Sequence, residues 1–134
     1  MRVALRLLAL IVVAVGAFAA NAYTQHYWAG LLFPPVAPRP YSEMVSAAIV
    51  GAIAAGAVAA LPLARLFKSR AWLAGLFVAL PVIALRVPEV GASGAQAQEA
   101  IAVMAWVEML SYTLAVVCAA WLLSRRARRA ESAL

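Results

Sequence analysis

The sequence predicts an all-α, polytopic membrane protein built as a bundle of four transmembrane helices. Hydrophobic residues make up 67% of the 134 residues and charged residues only 12%, whereas a soluble domain is about one-half apolar and one-quarter charged. The apolar residues fall in long runs, and most basic residues lie beside these runs. The excess apolar surface is therefore expected to face lipid, with residues 1–134 forming a single membrane domain.

Four apolar runs are expected to cross a hydrocarbon core of roughly 30 Å as helices. The third run is short for this distance, so it is expected either to recruit Arg86 and Val87, with the long Arg86 side chain reaching the membrane surface, or to lie where the bilayer thins locally. Pro81 lies inside the same run and is expected to kink it. The predicted spans cover about residues 3–23, 44–66, 71–87 and 100–123.

The first run also has features of a secretory signal peptide. Arg2 and Arg6 precede the apolar residues, and small residues follow around Ala20 and Ala22. A signal peptide has an apolar core of about 7–15 residues. The run in this chain is longer, which favours a retained first span over a cleaved signal.

The connection from Tyr23 to Ser42 is rich in aromatic residues and proline. Tyrosine and tryptophan prefer the membrane–water interface, and the prolines of this segment are incompatible with a regular helix. We therefore expect a stiff segment that lies at the interface as an anchor. A docking surface for a partner and a lid over a cavity are the alternatives.

Small residues recur every four positions along the second run. Gly51, Ala55 and Gly56 are expected to form close contacts, because small side chains allow two helix backbones to approach each other. The second span is therefore predicted to lie in the middle of the bundle or at an interface between subunits. Glu43 at its start suits the positive end of the helix dipole.

Basic residues predict the orientation of the chain, because cytoplasmic loops of membrane proteins are enriched in lysine and arginine. Arg39 and Arg86 lie on one side of the predicted spans. The basic residues on the other side are Arg2, Arg6, Arg65, Lys68, Arg70, Arg125, Arg126, Arg128 and Arg129. Both termini are therefore predicted to be cytoplasmic. The small size and the excess of arginine over lysine favour a bacterial inner (plasma) membrane.

The arginines after the last span are expected to form a cytoplasmic basic anchor consisting of Arg125, Arg126, Arg128 and Arg129. A formal net charge of +6 would indicate nucleic acid if the protein were soluble. Because topology already accounts for these arginines, no nucleic-acid partner is predicted. The expected partners are the lipid bilayer with its anionic lipids, and other membrane-protein subunits or further copies of this chain.

One acid, Glu108, lies inside the last apolar run. An ionised side chain costs roughly 2.5–3.5 kcal/mol at the centre of a membrane, so Glu108 is expected to face the bundle and bind a partner. It either marks a functional site or only holds the helices together. The predicted buried polar cluster contains Glu108, Ser111, Tyr112, Arg86 and His26, with Asn21, Gln25 and Ser46 at neighbouring helix ends, and Arg86 as the cationic partner.

The sequence contains no recognisable motif for catalysis or cofactor binding. The HExxH pattern, the glycine-rich phosphate loop and the nucleophile elbow are absent, and no second acid lies near Glu108 for paired acid–base chemistry. The single cysteine, Cys118, allows no internal disulfide. We therefore predict that the protein is not an enzyme and that it uses no cofactor or metal.

Three functions fit these features. The leading hypothesis is a small accessory or structural subunit of a larger membrane complex, because the second span is suited to close packing and little of the chain is aqueous. The first alternative is a small homo-oligomeric transporter or flippase coupled through Glu108. The second alternative is a lipid- or quinone-binding protein with a groove around Trp28, Tyr112 and His26.

Overall fold

The chain is helical throughout the residues that a computed structural model describes, which are 2–32, 41–91 and 96–131. Within these ranges four α-helices follow one another: α1 (Arg2–Leu32), α2 (Tyr41–Phe67), α3 (Ala71–Gly91) and α4 (Gln96–Glu131). A short 3₁₀ turn, Lys68–Arg70, joins α2 to α3. The all-α prediction is confirmed for this part of the chain.

Three helical segments in the described ranges are long and apolar enough to span a membrane: Val3–Leu31, Tyr41–Val90 and Glu99–Ala130. The second segment has 50 residues because the 3₁₀ turn leaves no non-helical break between α2 and α3. The chain nevertheless reverses at this turn, since the first turns of α2 and the last turns of α3 line the same cavity. The count of three segments does not confirm the predicted four spans.

Helix α1 extends beyond the apolar run that predicted it. It continues to Leu32, so the part of the predicted connection from Tyr23 onward is helical as far as that residue. The reason is local, because this part contains no proline and the first proline of the chain is Pro34. The rings of Tyr23 and Tyr27 stack on the extension with their centroids 6.1 Å apart. The proline-rich part of the predicted anchor, residues 33–40, lies outside the described residues.

Helix α3 continues past two prolines, Pro81 and Pro88, to Gly91. A proline inside a helix removes one backbone hydrogen bond, and membrane helices tolerate this where neighbouring groups compensate. The helix therefore extends beyond residue 87, the predicted end of the third span. This extension places Arg86 and Glu89 on one helical surface, three residues apart.

The helices form a ring in the order α1, α2, α4, α3. Helix α2 packs most extensively on α4, α1 packs on α2, and α3 packs on α4. A smaller contact between α1 and α3 closes the ring, whereas α1 and α4 have no close backbone contact within the described residues. Because α2 and α3 make only a small contact with each other, α4 is the main connection between α3 and the pair formed by α1 and α2.

Small side chains allow α2 to pack closely on α1 and α4. Ala55 is completely buried. A Cβ added at Gly51 would lie 2.6 Å from the Asn21 Oδ1 of α1, and a Cβ added at Gly56 would lie 2.9 Å from the backbone oxygen of Ala115 in α4. Gly51 therefore allows the close approach of α1, and Gly56 allows the close approach of α4. Within one chain α2 therefore packs closely on two helices, and an interface between subunits stays a prediction.

The core consists mostly of alanine with a few larger side chains, and the outer surface is strongly apolar. The largest fully buried side chains include Leu63, Val78, Val82, Tyr112 and Val116. Several large apolar side chains are more than half exposed, among them Leu7, Ile11, Ile53, Phe77 and Leu114. A soluble monomer rarely exposes an apolar surface of this kind. The exposed surface therefore supports a multi-pass protein that faces lipid.

Lys68 has a backbone φ of 47°, in the left-handed region that residues with a Cβ rarely adopt. We expect Lys68→Gly to raise the free energy of unfolding by about 0.5–1 kcal/mol, because glycine adopts this conformation without steric cost. Ser69→Gly in the same turn is the control, and it should lower the stability. Denaturation of both variants with sodium dodecyl sulfate measures the difference. A loss of stability in Lys68→Gly would contradict this account of the turn.

Candidate functional site

Glu108 lies on the face of α4 that points into the bundle. Its Oε2 forms an ion pair with the Nη2 of Arg86 on α3 at 2.7 Å. The Glu108 side chain is 13% exposed and the Arg86 side chain 36% exposed. A charged carboxylate in a membrane is stable only with such partners. The ion pair connects two helices that also pack on each other.

The second oxygen of Glu108 is bound by two amides from α1. Its Oε1 accepts hydrogen bonds from the Gln25 Nε2 at 3.0 Å and from the Asn21 Nδ2 at 3.3 Å. The Gln25 amide also donates to the Asn21 Oδ1 at 3.1 Å, because residues four apart are neighbours on a helix. Since α1 and α4 have no close backbone contact in the described residues, these side chains bridge a gap between the two helices.

Arg86 is shared between two carboxylates. While its Nη2 binds Glu108, its Nη1 donates to both oxygens of Glu89 at 2.8 and 3.0 Å. The two carboxylates therefore occupy different nitrogens of the same guanidinium, whose planar shape permits this arrangement. Removing either acid leaves Arg86 with one partner.

A cavity of about 870 Å³ surrounds this cluster. All four helices contribute to it, through the second halves of α1 and α3 and the first halves of α2 and α4, so it lies at the end of the bundle opposite the Lys68–Arg70 turn. Its polar lining residues are Asn21, Gln25, His26, Tyr41, Glu43, Arg86, Glu89 and Glu108. Its apolar lining includes Phe18, Met44, Leu85, Ile101 and Met104.

The cavity has more negative than positive charge. Among the described lining residues, Glu43, Glu89 and Glu108 supply three carboxylates against the single guanidinium of Arg86, which is a formal excess of two negative charges. The Glu43 Oε2 is buried and accepts no hydrogen bond from any described residue. A buried charged oxygen without a partner is unfavourable, so this oxygen favours a cation or a hydrogen-bond donor in the cavity.

The structure brings together some of the predicted site residues and separates others. Glu108 and Arg86 pair, and His26 lines the same cavity. The Ser111 hydroxyl donates instead to the backbone oxygen of Glu108 at 3.2 Å. Tyr112 is completely buried, and its hydroxyl has no hydrogen-bond partner among the described residues. It is not part of the cavity lining, and neither is Trp28, so only His26 of the proposed quinone groove lies there.

Sequence reasoning missed two acids of the site, Glu43 and Glu89. Each lies near a helix end, where solvent or the helix dipole is a sufficient explanation for an acid. A signal was available, because Glu43, Glu89, Glu99 and Glu108 all lie on the side of the predicted spans opposite most of the basic residues. Acids that gather at the same ends of antiparallel helices indicate a shared acidic region.

The described residues contain no group of three His, Cys, Asp or Glu arranged to hold a metal ion. The cavity instead combines separated carboxylates, amide donors and acceptors, and apolar walls. This combination suits an organic cation with an apolar body, whose charge the carboxylates would balance.

The predicted basic anchor lies at the other end of α4. The Arg125 guanidinium stacks over the Trp121 ring at 4.0 Å, and the Arg128 Nε donates to the backbone oxygen of Ser124 at 3.3 Å. The molecule therefore has an acidic cavity at one end and arginines at the other. Comparisons of the chain with protein-family models, with curated proteins and with solved structures find no match.

Proposed function

We propose that the protein is a small membrane transporter for organic cations and that the cavity between the four helices is its binding site. The observation that carries this proposal is the formal excess of two negative charges among the described residues that line a half-open cavity between apolar helices. In an environment of low dielectric constant, uncompensated carboxylates attract a cation more strongly than they do in water. This proposal develops the alternative in which transport is coupled through Glu108.

The lining favours a cation with a bulky apolar body. Phe18 and Tyr41 supply aromatic rings, which attract cations through their faces, and Met44 and Met104 supply adaptable apolar contacts. A volume of about 870 Å³ falls within the range of small-molecule sites. A small metal ion would use the carboxylates and leave most of this surface without contact.

Arg86 provides a means of coupling ligand binding to helix movement. An entering cation competes with the Arg86 Nη2 for Glu108, while the Nη1 keeps its bonds to Glu89 on the same helix. The ion pair between α3 and α4 would then open without leaving either charge unpaired. A pair with two alternative arrangements is the kind of element that conformational switching requires.

We further propose four membrane crossings with both termini in the cytoplasm of a bacterial inner membrane. The reversal at Lys68–Arg70 and the location of nine of the eleven basic residues on one side of the spans support this topology. Reporter fusions should place a fluorescent protein attached after Leu134 on the cytoplasmic side. Alkaline phosphatase inserted after residue 37 or 93 should be active outside. Activity of the phosphatase after residue 69 would contradict the topology.

The binding proposal can be tested with tetraphenylphosphonium, a bulky apolar cation, and the purified full chain in lipid nanodiscs. We expect saturable binding to the unmodified chain and roughly ten-fold or greater weakening in Glu43→Gln, because that carboxylate is an uncompensated charge in the lining. Equilibrium dialysis measures both affinities.

Glu99→Gln is the matched control for this substitution. Glu99 is exposed in the first turn of α4 and does not line the cavity, but its replacement by glutamine removes the same charge as Glu43→Gln. If Glu43→Gln and Glu99→Gln weakened the binding of tetraphenylphosphonium equally, the effect would come from the overall charge of the protein. This result would contradict binding in the cavity. Uptake of the cation into liposomes separates a transporter from a protein that only binds it.

The accessory-subunit hypothesis remains the second candidate, and one observation favours it. Residues 3–8 at the start of α1 are all exposed, and the side chains of Leu5, Leu7 and Leu8 are each more than half exposed. Either lipid or a partner subunit could cover this exposed surface. Co-purification in mild detergent tests this candidate, and Leu5→Arg should release a partner that binds there.

A further inference from the structure

A second cavity lies at the opposite end of the bundle from the acidic site. It has a volume of about 370 Å³ and lies between the ends of α2 and α4 beside the 3₁₀ turn. We call it the basic groove. Its lining residues are Leu61, Ala64, Arg65, Lys68, Leu123, Ser124, Arg126, Ala127 and Arg128.

Four basic side chains converge on the basic groove, and no carboxylate is among its described lining residues. Arg65 and Lys68 come from α2 and the turn, and Arg126 and Arg128 come from α4. The hydrogen bond from the Arg128 Nε to the Ser124 backbone oxygen holds one guanidinium at the groove. Like charges brought this close repel each other. The groove therefore favours an anion with more than one acceptor oxygen.

The walls of the groove distinguish a lipid from a free anion. Leu61 is 50% exposed, and Leu123 and Ala64 continue the apolar surface beside the basic side chains. A free phosphate ion would contact only the basic side chains. A phospholipid would place its phosphate among them and an acyl chain along Leu61 and Leu123.

We propose that the basic groove binds one anionic phospholipid, with its phosphate held by Arg65, Lys68, Arg126 and Arg128. This site is separate from the cation cavity and does not depend on the transport proposal. The depth of the groove in the membrane agrees with this assignment. Its apolar wall lies in the last turns of the apolar runs, at the level of lipid tails, and its basic residues follow at the level of lipid headgroups. Arginine and lysine pair with phosphate through charge-assisted hydrogen bonds.

Native mass spectrometry of the full chain, released from mild detergent with added phosphatidylglycerol, tests the proposal. We expect one tightly retained lipid on the unmodified chain and about 30-fold weaker binding in the double variant Lys68→Gln and Arg126→Gln, because each direct charge-assisted contact with the phosphate contributes at least about five-fold. The double variant Arg65→Gln and Arg128→Gln should show the same loss. Phosphatidylcholine, which has no net charge, should not be retained.

The matched control is the double variant Arg70→Gln and Arg125→Gln, which removes two nearby charges outside the groove. It should retain phosphatidylglycerol with less than a three-fold change in affinity. Equal loss in the control and groove variants would reduce the effect to general surface charge and overturn the proposal. Displacement of the lipid by inorganic phosphate at millimolar concentration would assign the groove to a free anion and would also overturn it.

Discussion

Replacing Gly56 by leucine is expected to prevent the four-helix bundle from forming, and replacing it by alanine should lower the free energy of unfolding by about 1–3 kcal/mol. A Cβ at this position would lie 2.9 Å from the backbone oxygen and 3.1 Å from the carbonyl carbon of Ala115. No side-chain rotation can relieve a contact with backbone atoms. Helices α2 and α4 would have to separate, and they form the most extensive contact of the bundle.

Gly16→Ala is the matched control for Gly56→Ala. A Cβ at Gly16 would lie 3.9 Å from the Val58 Cγ1, which is an ordinary van der Waals distance. Intrinsic helix propensity favours alanine over glycine by about 1 kcal/mol at either position, so propensity alone predicts equal stabilisation. Circular dichroism during denaturation with sodium dodecyl sulfate measures both variants. If Gly56→Ala were as stable as Gly16→Ala, or more stable, α2 and α4 would not pack as closely as described.

Replacing Glu108 by glutamine is expected to weaken the binding of tetraphenylphosphonium about 100-fold. One charge at roughly 6 Å contributes about 3 kcal/mol at an effective dielectric constant of about 20, which corresponds to a factor on the order of 100. The substitution removes a carboxylate from the cavity and also leaves Arg86 with Glu89 alone. The cation then meets an arginine that is less fully neutralised.

The double variant Arg86→Gln and Glu108→Gln separates a charge effect from a general disruption of the site. It retains Glu43 and Glu89 without the guanidinium, so the excess of two negative charges in the lining is the same as in the unmodified chain. We therefore expect most of the affinity lost in Glu108→Gln to return, although the ion pair between α3 and α4 is gone. Affinity as low as that of the single variant would indicate that the cavity does not bind the cation through its net charge.

The cost of a carboxylate in a membrane is sufficient to predict that Glu108 faces the bundle and binds a cationic partner. Glu108 and Arg86 form that pair at 2.7 Å. The same argument does not predict the positions of the other residues of the cluster. Tyr112 lies deeper in the core, and the Ser111 hydroxyl binds the backbone of its own helix, because a hydroxyl in an apolar bundle can use a nearby carbonyl.

The cavity could not be predicted from the sequence of any single helix, because all four helices line it. Glu43 and Glu89 lie at the ends of α2 and α3, where local rules account for them without a site. Their shared location depends on the reversal of the chain at Lys68 and on the ring order of the helices, both of which arise from tertiary packing. The length of α1 also exceeded the prediction, since hydropathy reports the apolar part of a helix and not its last turns.

The central claim is that the cavity selects its ligand by charge between apolar walls. Tetraphenylphosphonium and tetraphenylborate have nearly the same shape and opposite charges, so a comparison of their binding to the purified chain in nanodiscs, corrected for binding to empty nanodiscs, tests this claim most directly. We expect saturable binding of one cation per chain and no saturable binding of the anion. Equal binding of both ions, or binding of neither, would contradict the account.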